Sequence, residues 1–299
     1  MPEFVFPHLP ALLNDILRLC ISFAVLCSVF IPLERLCALH RQKVLRQEAA
    51  VDIGYYFLNG LLVGVVLSAP LGLVRWGAQQ VLPGSLSALL AALPIWQRAV
   101  LALVVGEVGY YWGHRLSHEI PFLWRFHAVH HSAREMDFWV NSRAHPVDLV
   151  ISRMFTLAPI YGLGIANPLS ASDNIFAMLI LAVGANWSYL IHANVRWRLG
   201  RLEWLITSPA FHHWHHTRTG AIDHNYATML PWMDRIFGTH YLPRGKWPEA
   251  YGITAKMPGT LPEQLVYPLF SQPPVLTATR PQGAGTLPNS VGADGEEHL

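Results

Sequence analysis

The chain has 299 residues, of which 52% are hydrophobic and only 13% are charged. An average soluble protein has about 25% charged residues, so this composition excludes an ordinary soluble domain and favours a protein that lies in a lipid bilayer. The formal net charge of +2 provides no basic surface for nucleic acid. The three cysteines match neither a disulfide framework nor a zinc ribbon, and we expect them to be small buried side chains.

Long apolar segments predict the membrane helices. Five such runs are present, at residues 16–33, 51–74, 99–112, 149–165 and 175–191. The first two are each long enough for one span of about 20 residues, and the third continues into a polar helical end at His114. The last two resemble a helical hairpin that enters the bilayer without crossing it fully. We therefore expect an all-α integral membrane bundle of about four spans or hairpin helices, capped by a cytosolic, histidine-rich helical di-metal domain.

The distribution of basic residues predicts the orientation in the membrane. Residues 34–50 carry Arg35, Arg41, Lys43 and Arg46, whereas residues 76–97 carry no lysine or arginine. The positive-inside rule then places the first loop and the histidine clusters on the cytoplasmic side. Arginine greatly outnumbers lysine, and Ala and Leu are abundant, which suggests a GC-rich bacterium and hence an inner membrane location.

Histidine is the most informative residue type in this sequence. Twelve of the sixteen histidines lie between His114 and His224, mostly in clusters at residues 114–118, 127–131 and 212–216. Residues three or four apart share a helix face, while adjacent residues point about 100° apart, so an adjacent pair can serve two metal ions. The three clusters and His192 supply nine imidazoles, which suits two ions with four or five ligands each.

The identity of the metal depends on the chemistry around the ligands. Imidazole binds zinc, copper, iron and nickel, and a closed structural zinc site uses four ligands that usually include thiolates. Nine imidazoles beside apolar helices that admit a lipid tail instead favour two iron ions that activate dioxygen, because unactivated C–H bonds require a metal-based oxidant. Zinc is the expected substitute in isolated protein.

These motifs, taken together, resemble the fatty acid hydroxylase superfamily, also called the sterol desaturase family. The segments that carry the resemblance are Tyr111–His118, Trp124–Ser132, His145–Asp148, His192–Arg196, Asn225–Tyr226 and Trp232–Thr239, within residues 99–243. The resemblance implies a membrane di-iron oxygenase or desaturase that acts on a sterol, fatty acyl chain or other lipid. Val195 and Arg196 stand where the fatty acyl 2-hydroxylase branch has a further histidine, which lowers the expectation of that particular chemistry.

The resemblance also implies the site residues. The implied iron ligands are His114, His118, His127, His130, His131, His192, His212, His215 and His216. Residues expected as further ligands or as hydrogen-bond partners of ligands are His145, His213, Glu107, Asn141, Asp223, His224 and Asp234, with Asp137 and Asp148 as further acceptors. Glu107 precedes His114 on the same helical face, and a carboxylate within a membrane helix is costly unless it has a purpose. His213 is expected beside the site rather than on the metal.

The expected function is hydroxylation of an unactivated lipid carbon, with desaturation by the same site as the alternative. We expect N-terminal membrane helices at residues 1–98, the catalytic domain at residues 99–265 and a disordered tail at residues 266–299. No haem-binding or nucleotide-binding motif is present, so electrons must come from a separate ferredoxin-type or cytochrome-type protein. A metal-binding or metal-transport membrane protein and a di-haem electron carrier are the other classes to which these histidines could belong.

Overall fold

The fold of the described residues is helical, as the sequence predicts. The computed structural model describes residues 10–166 and 171–270, with the backbone alone at residue 91 and residues 171–181. The α-helices are α1 (Ala11–Leu36), α2 (Ala49–Val81), α3 (Gly84–Ala91), α4 (Ile95–Glu119), α5 (Pro121–His127), α6 (Pro146–Leu163), α7 (Ala171–His192), α8 (Pro209–His215), α9 (Trp232–Ile236) and α10 (Leu261–Phe270). Extended pairing among these residues is limited to two isolated bridges, Ala38–Val195 and Thr217–Tyr251.

Two of these helices have the length and apolar composition of membrane spans. They are α1 and α2, and the bent pair formed by α3 and α4 is a third candidate if it acts as one span. Most of α1 is not covered by other parts of the protein, and an apolar helix without protein cover requires an apolar surrounding. The predicted hairpin corresponds to α6 and α7. The predicted tail from residue 272 onward lies outside the described residues, and the boundary expected at residue 266 falls within α10.

Helices α4 and α6 pack unusually closely because α4 presents glycines to α6. A Cβ added to Gly109 would lie 2.0 Å from the backbone oxygen of Phe155, and one added to Gly113 would lie 2.7 Å from the Phe155 Cβ. The absence of a side chain at these two positions therefore lets the helix backbones approach each other. This contact brings the histidine-bearing end of α4 beside the first turn of α6, where Asp148 lies.

A buried ionic network fixes the start of α2 to the loop before α6. Arg46 pairs with Asp52 and, at 2.7 Å, with Asp137, while Arg143 pairs with Asp52 at 2.5 Å and with Glu48 at 3.0 Å. Arg46 is one of the basic residues that predict a cytoplasmic loop. In the structure its side chain is only 2% exposed and serves as a structural cation, since a buried charge requires partners of the opposite sign.

The loop that follows α1 lies at the same end of the molecule as the histidines. The side-chain amide of Asn194, two residues after His192, donates to the carbonyl of His40, and the Leu39 backbone N–H donates to the carbonyl of Asn194. The Glu34 carboxylate accepts hydrogen bonds from the backbone N–H groups of Phe138 and Asn194. The basic loop and the histidine clusters therefore share one end of the bundle, as the positive-inside argument requires.

Candidate metal centre

Nine buried histidines form two neighbouring groups. One contains His114, His118, His127, His131 and His215, and the other contains His130, His192, His212 and His216. Within each group the candidate ligand atoms all lie within 4.8 Å of one another. The two groups touch, because the rings of His131 and His216 stack with their centroids 4.4 Å apart. The arrangement offers five imidazoles to one position and four to a second position beside it.

Each cluster reaches these groups through its local secondary structure. His114 and His118 lie one turn apart near the end of α4, and His192 is the last residue of α7. From their spacing, His127 and His130 or His131 would share one face of a helix. Instead, α5 ends at His127, and a 3₁₀ turn (His130–Ser132) follows. His130 and His131, which are adjacent in this turn, belong to different groups.

The third cluster lies on a short helix with a defined start. Ser208 caps α8 by accepting a hydrogen bond from the backbone N–H of Phe211, and Pro209 occupies the first turn, where no N–H is needed. His212 and His215 lie on the helix, and His216 ends it. The adjacent residues His215 and His216 again belong to different groups. Adjacent histidine pairs thus connect the two groups at two places.

Most of these imidazoles are held at the ring nitrogen that faces away from the group. Six of the nine Nδ1 atoms contact an oxygen acceptor, which identifies Nδ1 as the protonated nitrogen and leaves a lone pair on Nε2. The contacts are His114 to the carbonyl of Tyr226 (2.7 Å), His118 to Asp223 (3.1 Å), His127 to Asp148 (3.0 Å), His130 to the carbonyl of Arg143 (2.9 Å), His192 to the carbonyl of Ser188 (2.7 Å) and His215 to the carbonyl of His224 (2.8 Å).

Three of these acceptors lie in a loop with unusual backbone conformation, at residues 223–226. Asp223 and Asn225 both have φ of 62°, in the left-handed region that Asp and Asn tolerate better than most residues. The Asn225 side chain holds this conformation by donating to the carbonyls of Phe211 and Tyr241. The two left-handed residues flank His224, whose carbonyl accepts from His215, and the loop continues to the Tyr226 carbonyl.

The nitrogens that face into each group are suited to a metal ion. The Nε2 atoms of His114, His118 and His215 are buried without a hydrogen-bond partner. In the group of four, His212 Nε2 lies 2.9 Å from His192 Nε2 and 3.2 Å from His216 Nε2. Nitrogens about 2.1 Å from a common ion are separated by roughly 3.0 to 3.4 Å, so these spacings fit ligands of one ion. The donor set fits a metal centre that uses nitrogen ligands.

Burial keeps the histidines outside the membrane helices neutral. It lowers the pKa of His130 to about 4, and it lowers the pKa values of His131, His212, His215 and His216 well below the ordinary range. Repulsion between neighbouring imidazoles acts in the same direction. A neutral imidazole is the form that ligates a metal.

Two of the other candidate histidines use both ring nitrogens in contacts with the protein. His213 Nδ1 accepts from the hydroxyl of Tyr251 (2.8 Å) while its Nε2 donates to the carbonyl of Ala193 (3.0 Å). His145 caps α6 by accepting the Val147 backbone N–H, and its Nε2 donates to the carbonyl of Leu265. Neither ring offers a free lone pair to a metal.

The remaining candidates support the site through the backbone or through another side chain. Glu107 accepts from the backbone N–H groups of Met229 and Leu230, rather than from an imidazole. Asp234 accepts from the backbone of Tyr226 and Ala227, so both carboxylates hold the loop that carries the acceptor for His114. The Asn141 side-chain oxygen accepts a hydrogen bond from the Ser188 hydroxyl. His224 contributes its backbone carbonyl, which accepts from the His215 ring.

A cavity of about 560 Å³ leads from the apolar helices to the histidines. Its inner end is lined by His127, His130 and His192, while Val63, Leu67 and other apolar residues line its wall within the membrane helices. A channel with an apolar wall and an imidazole end is suited to a long hydrocarbon chain.

Comparison with known proteins gives the family. The fatty acid hydroxylase family matches residues 99–239, which contain all nine histidines. The ornithine lipid hydroxylase OlsE of Rhizobium tropici is 35% identical over 178 residues, covering 58% of this chain and 51% of that protein. Human alkylglycerol monooxygenase is 32% identical over 160 residues (53% and 33%), and the Delta(7)-sterol 5(6)-desaturase erg3C of Aspergillus fumigatus is 28% identical over 160 residues (48% and 48%).

The chain spans about a third to a half of the length of these relatives. No solved structure matches it significantly. The match covers most of α4 and every histidine of the two groups. Over residues 99–239, the chain is similar to the fatty acid hydroxylase family.

Proposed function

We propose that this protein is a membrane-bound di-iron enzyme that uses dioxygen to hydroxylate an unactivated carbon of a lipid. The observation that carries the proposal is the convergence of nine buried imidazoles into two adjoining groups at the end of an apolar cavity. The names of the relatives support a lipid substrate, since they include a lipid hydroxylase, a monooxygenase and a sterol desaturase. Desaturation is the second outcome that the same site would permit.

In this proposal each group holds one iron ion. His114, His118, His127, His131 and His215 would bind the first ion, and His130, His192, His212 and His216 the second. The all-nitrogen donor set, the lack of a thiolate and the open cavity favour iron over a structural zinc ion, although zinc could replace iron in isolated protein. The bound irons would supply the oxidising power toward dioxygen and a C–H bond that amino-acid side chains lack.

The chain's own residues orient the ligands and the substrate. The Nδ1 contacts to carbonyls and carboxylates fix six of the nine rings and keep their Nε2 atoms free for the metal. The apolar wall excludes water and holds the hydrocarbon chain, so that one carbon lies beside His127 and His130. The position of that carbon decides between the two outcomes, since hydroxylation removes one hydrogen and desaturation removes two from neighbouring carbons.

The reaction balance requires an external reductant. In hydroxylation one oxygen atom enters the lipid and the other leaves as water, which consumes two electrons and two protons. In desaturation two hydrogens leave the lipid, and both oxygen atoms become water with the same supply of electrons and protons. We propose a separate one-electron carrier of the ferredoxin or cytochrome type as the donor.

We also propose residues 99–265 as the catalytic unit, with the membrane helices of residues 1–98 before it and residues 266–299 as a tail. The proposed location is a bacterial inner membrane with the histidines facing the cytoplasm. The shared position of the basic loop and the histidines supports this orientation.

The test uses a strain from which the gene for this protein has been deleted. Lipid extracts are compared after the strain receives the unchanged protein or one of the variants His130→Ala, His215→Ala and His240→Ala. His240 is an imidazole outside both groups and serves as the matched control. The proposal predicts a lipid species heavier by one oxygen, or lighter by two hydrogens, with the unchanged protein and with the control only. The same species in the His130→Ala and His215→Ala strains would contradict it.

A further inference from the structure

The cavity contains a cation for which the described residues provide no counter-ion. Arg153, on α6, is the only lysine or arginine among the described residues that line the cavity. No described carboxylate lies within 4.0 Å of its guanidinium, whereas the Asp148 carboxylate in the same cavity is paired with His127 and that of Glu107 with two backbone N–H groups. A charged group in a membrane helix is costly without a partner of the opposite sign.

Arg153 lines the same cavity as His127, His130 and His192. Tyr110 and Tyr189 also line this cavity, but they are neutral phenols and leave the charge uncompensated. Tyr110 precedes His114 by one helical turn, and the two rings are 5.3 Å apart. Tyr189 precedes His192 by nearly one turn. A group bound to Arg153 would thus share the cavity with residues that lie about one helical turn from the ligand histidines.

Two more polar atoms in the lining of the cavity have no hydrogen-bond partner. The hydroxyl of Tyr55 and the side-chain oxygen of Asn59, one turn apart on α2, are buried and make no hydrogen bond. Each such atom costs free energy unless a ligand or water satisfies it. A ligand that is hydrocarbon alone would leave these atoms and Arg153 unsatisfied. The remainder of the wall, including Val63, Leu67 and Leu157, is apolar and suited to an acyl or alkyl chain.

We propose that Arg153 binds the anionic group of the substrate, so that the substrate is a lipid with a carboxylate or a phosphate and not a neutral sterol. The alkyl chain then extends along α2 and α6, and the oxidised carbon is the one that lies beside the histidines at the inner end of the cavity. This inference rests on the proposed function for the oxidation, but the binding of an anion at Arg153 does not require the metal.

The test measures the binding of three amphiphiles to the full chain in a neutral detergent, by the change in tryptophan fluorescence. The probes are palmitate, hexadecyl phosphate and hexadecanol, which share a chain length and differ in charge. The proposal predicts that at least one anion binds about tenfold or more tightly than hexadecanol. Preference for palmitate alone identifies a carboxylate lipid, and preference for hexadecyl phosphate alone identifies a phosphate lipid.

Variants connect this preference to the cavity. Arg153→Gln should abolish it, Arg153→Lys should retain part of it, and the exposed Arg201→Gln should leave it unchanged. Equal binding of hexadecanol and both anions to the unchanged protein would overturn the proposal, as would an undiminished preference in Arg153→Gln. Metal content is measured on the same samples, so a protein without iron that keeps the preference would contradict the proposed function and not this inference.

Discussion

The Nδ1–H of His127 donates to the Oδ2 of Asp148 at 3.0 Å, and both side chains are buried. Because Nδ1 is occupied, the ring must present Nε2 to the group of five histidines, where it lies 3.1 Å from His131 Nε2. The contact joins two helices, since His127 ends α5 and Asp148 lies in the first turn of α6. It therefore fixes the orientation of one imidazole and the position of the cavity wall together.

Replacement of Asp148 tests the importance of this contact for metal binding. Asp148→Asn should lower metal affinity about 10- to 100-fold, because an amide orients His127 without the negative charge that strengthens the ligand. Asp223→Asn is the matched control at His118, and its effect should be smaller because the Asp223 side chain is 30% exposed and the water around it already weakens the interaction. Competition with a coloured chelator measures both affinities, and equal losses would contradict the ranking.

The contact between α4 and α6 gives a second prediction. Gly109→Ala should lower the thermal denaturation midpoint of the detergent-solubilised protein strongly, because its Cβ would overlap the backbone oxygen of Phe155. Gly77→Ala, in α2, is the control, since an added Cβ there meets no atom within 4 Å. A Gly109→Ala protein as stable as the control would show that the two helices are not closely packed.

The convergence of the histidines into a candidate metal site could be predicted from sequence because histidine spacing and helical geometry are local properties. The nine histidines that converge are the nine that the spacing and the family resemblance indicate. The break between His127 and His130 was not predicted, because a helix and a 3₁₀ turn both accommodate the same spacing. The buried ion pairs of Arg46 with Asp52 and Asp137 were also not predicted, because sequence alone does not show that a loop arginine is buried.

The partners of the imidazoles were harder to predict than the imidazoles. Four of the six Nδ1 acceptors are backbone carbonyls, which every residue possesses, so nothing in the side chains of Arg143 or Tyr226 identifies them. For Glu107 the side chain was identified but its partner was not. Its spacing from His114 predicted a contact with the histidines, whereas its carboxylate accepts from the backbone N–H groups of Met229 and Leu230. Arg153 was missed, since its importance depends on the cavity that residues of several helices form around it.

Acidification should destabilise the metal-free protein. His213 accepts the hydroxyl proton of Tyr251 and can do so only when neutral; burial lowers its pKa from 6.5 to about 4. The unfolded chain therefore binds more protons between these values, and stability is complete above pH 6.5 and falls as the pH drops toward 4. For His213 alone the full change is about 3 kcal/mol.

The measurement is the thermal denaturation midpoint of metal-free protein between pH 7 and pH 5. The midpoint should fall with pH, and His213→Gln should show a shallower dependence because one linked group has been removed. A midpoint that rises on acidification, or an unchanged dependence in His213→Gln, would contradict the buried neutral state of this imidazole.

The metal content of the purified protein tests the central claim most directly. Protein from iron-supplied cells should contain about two iron atoms per chain, since two groups of imidazoles each suit one ion. His215→Ala and His212→Ala, one from each group, should each lose iron, and His240→Ala should retain the full amount. Iron content that stays the same in all three variants, or an unchanged protein that binds no iron, would contradict the account.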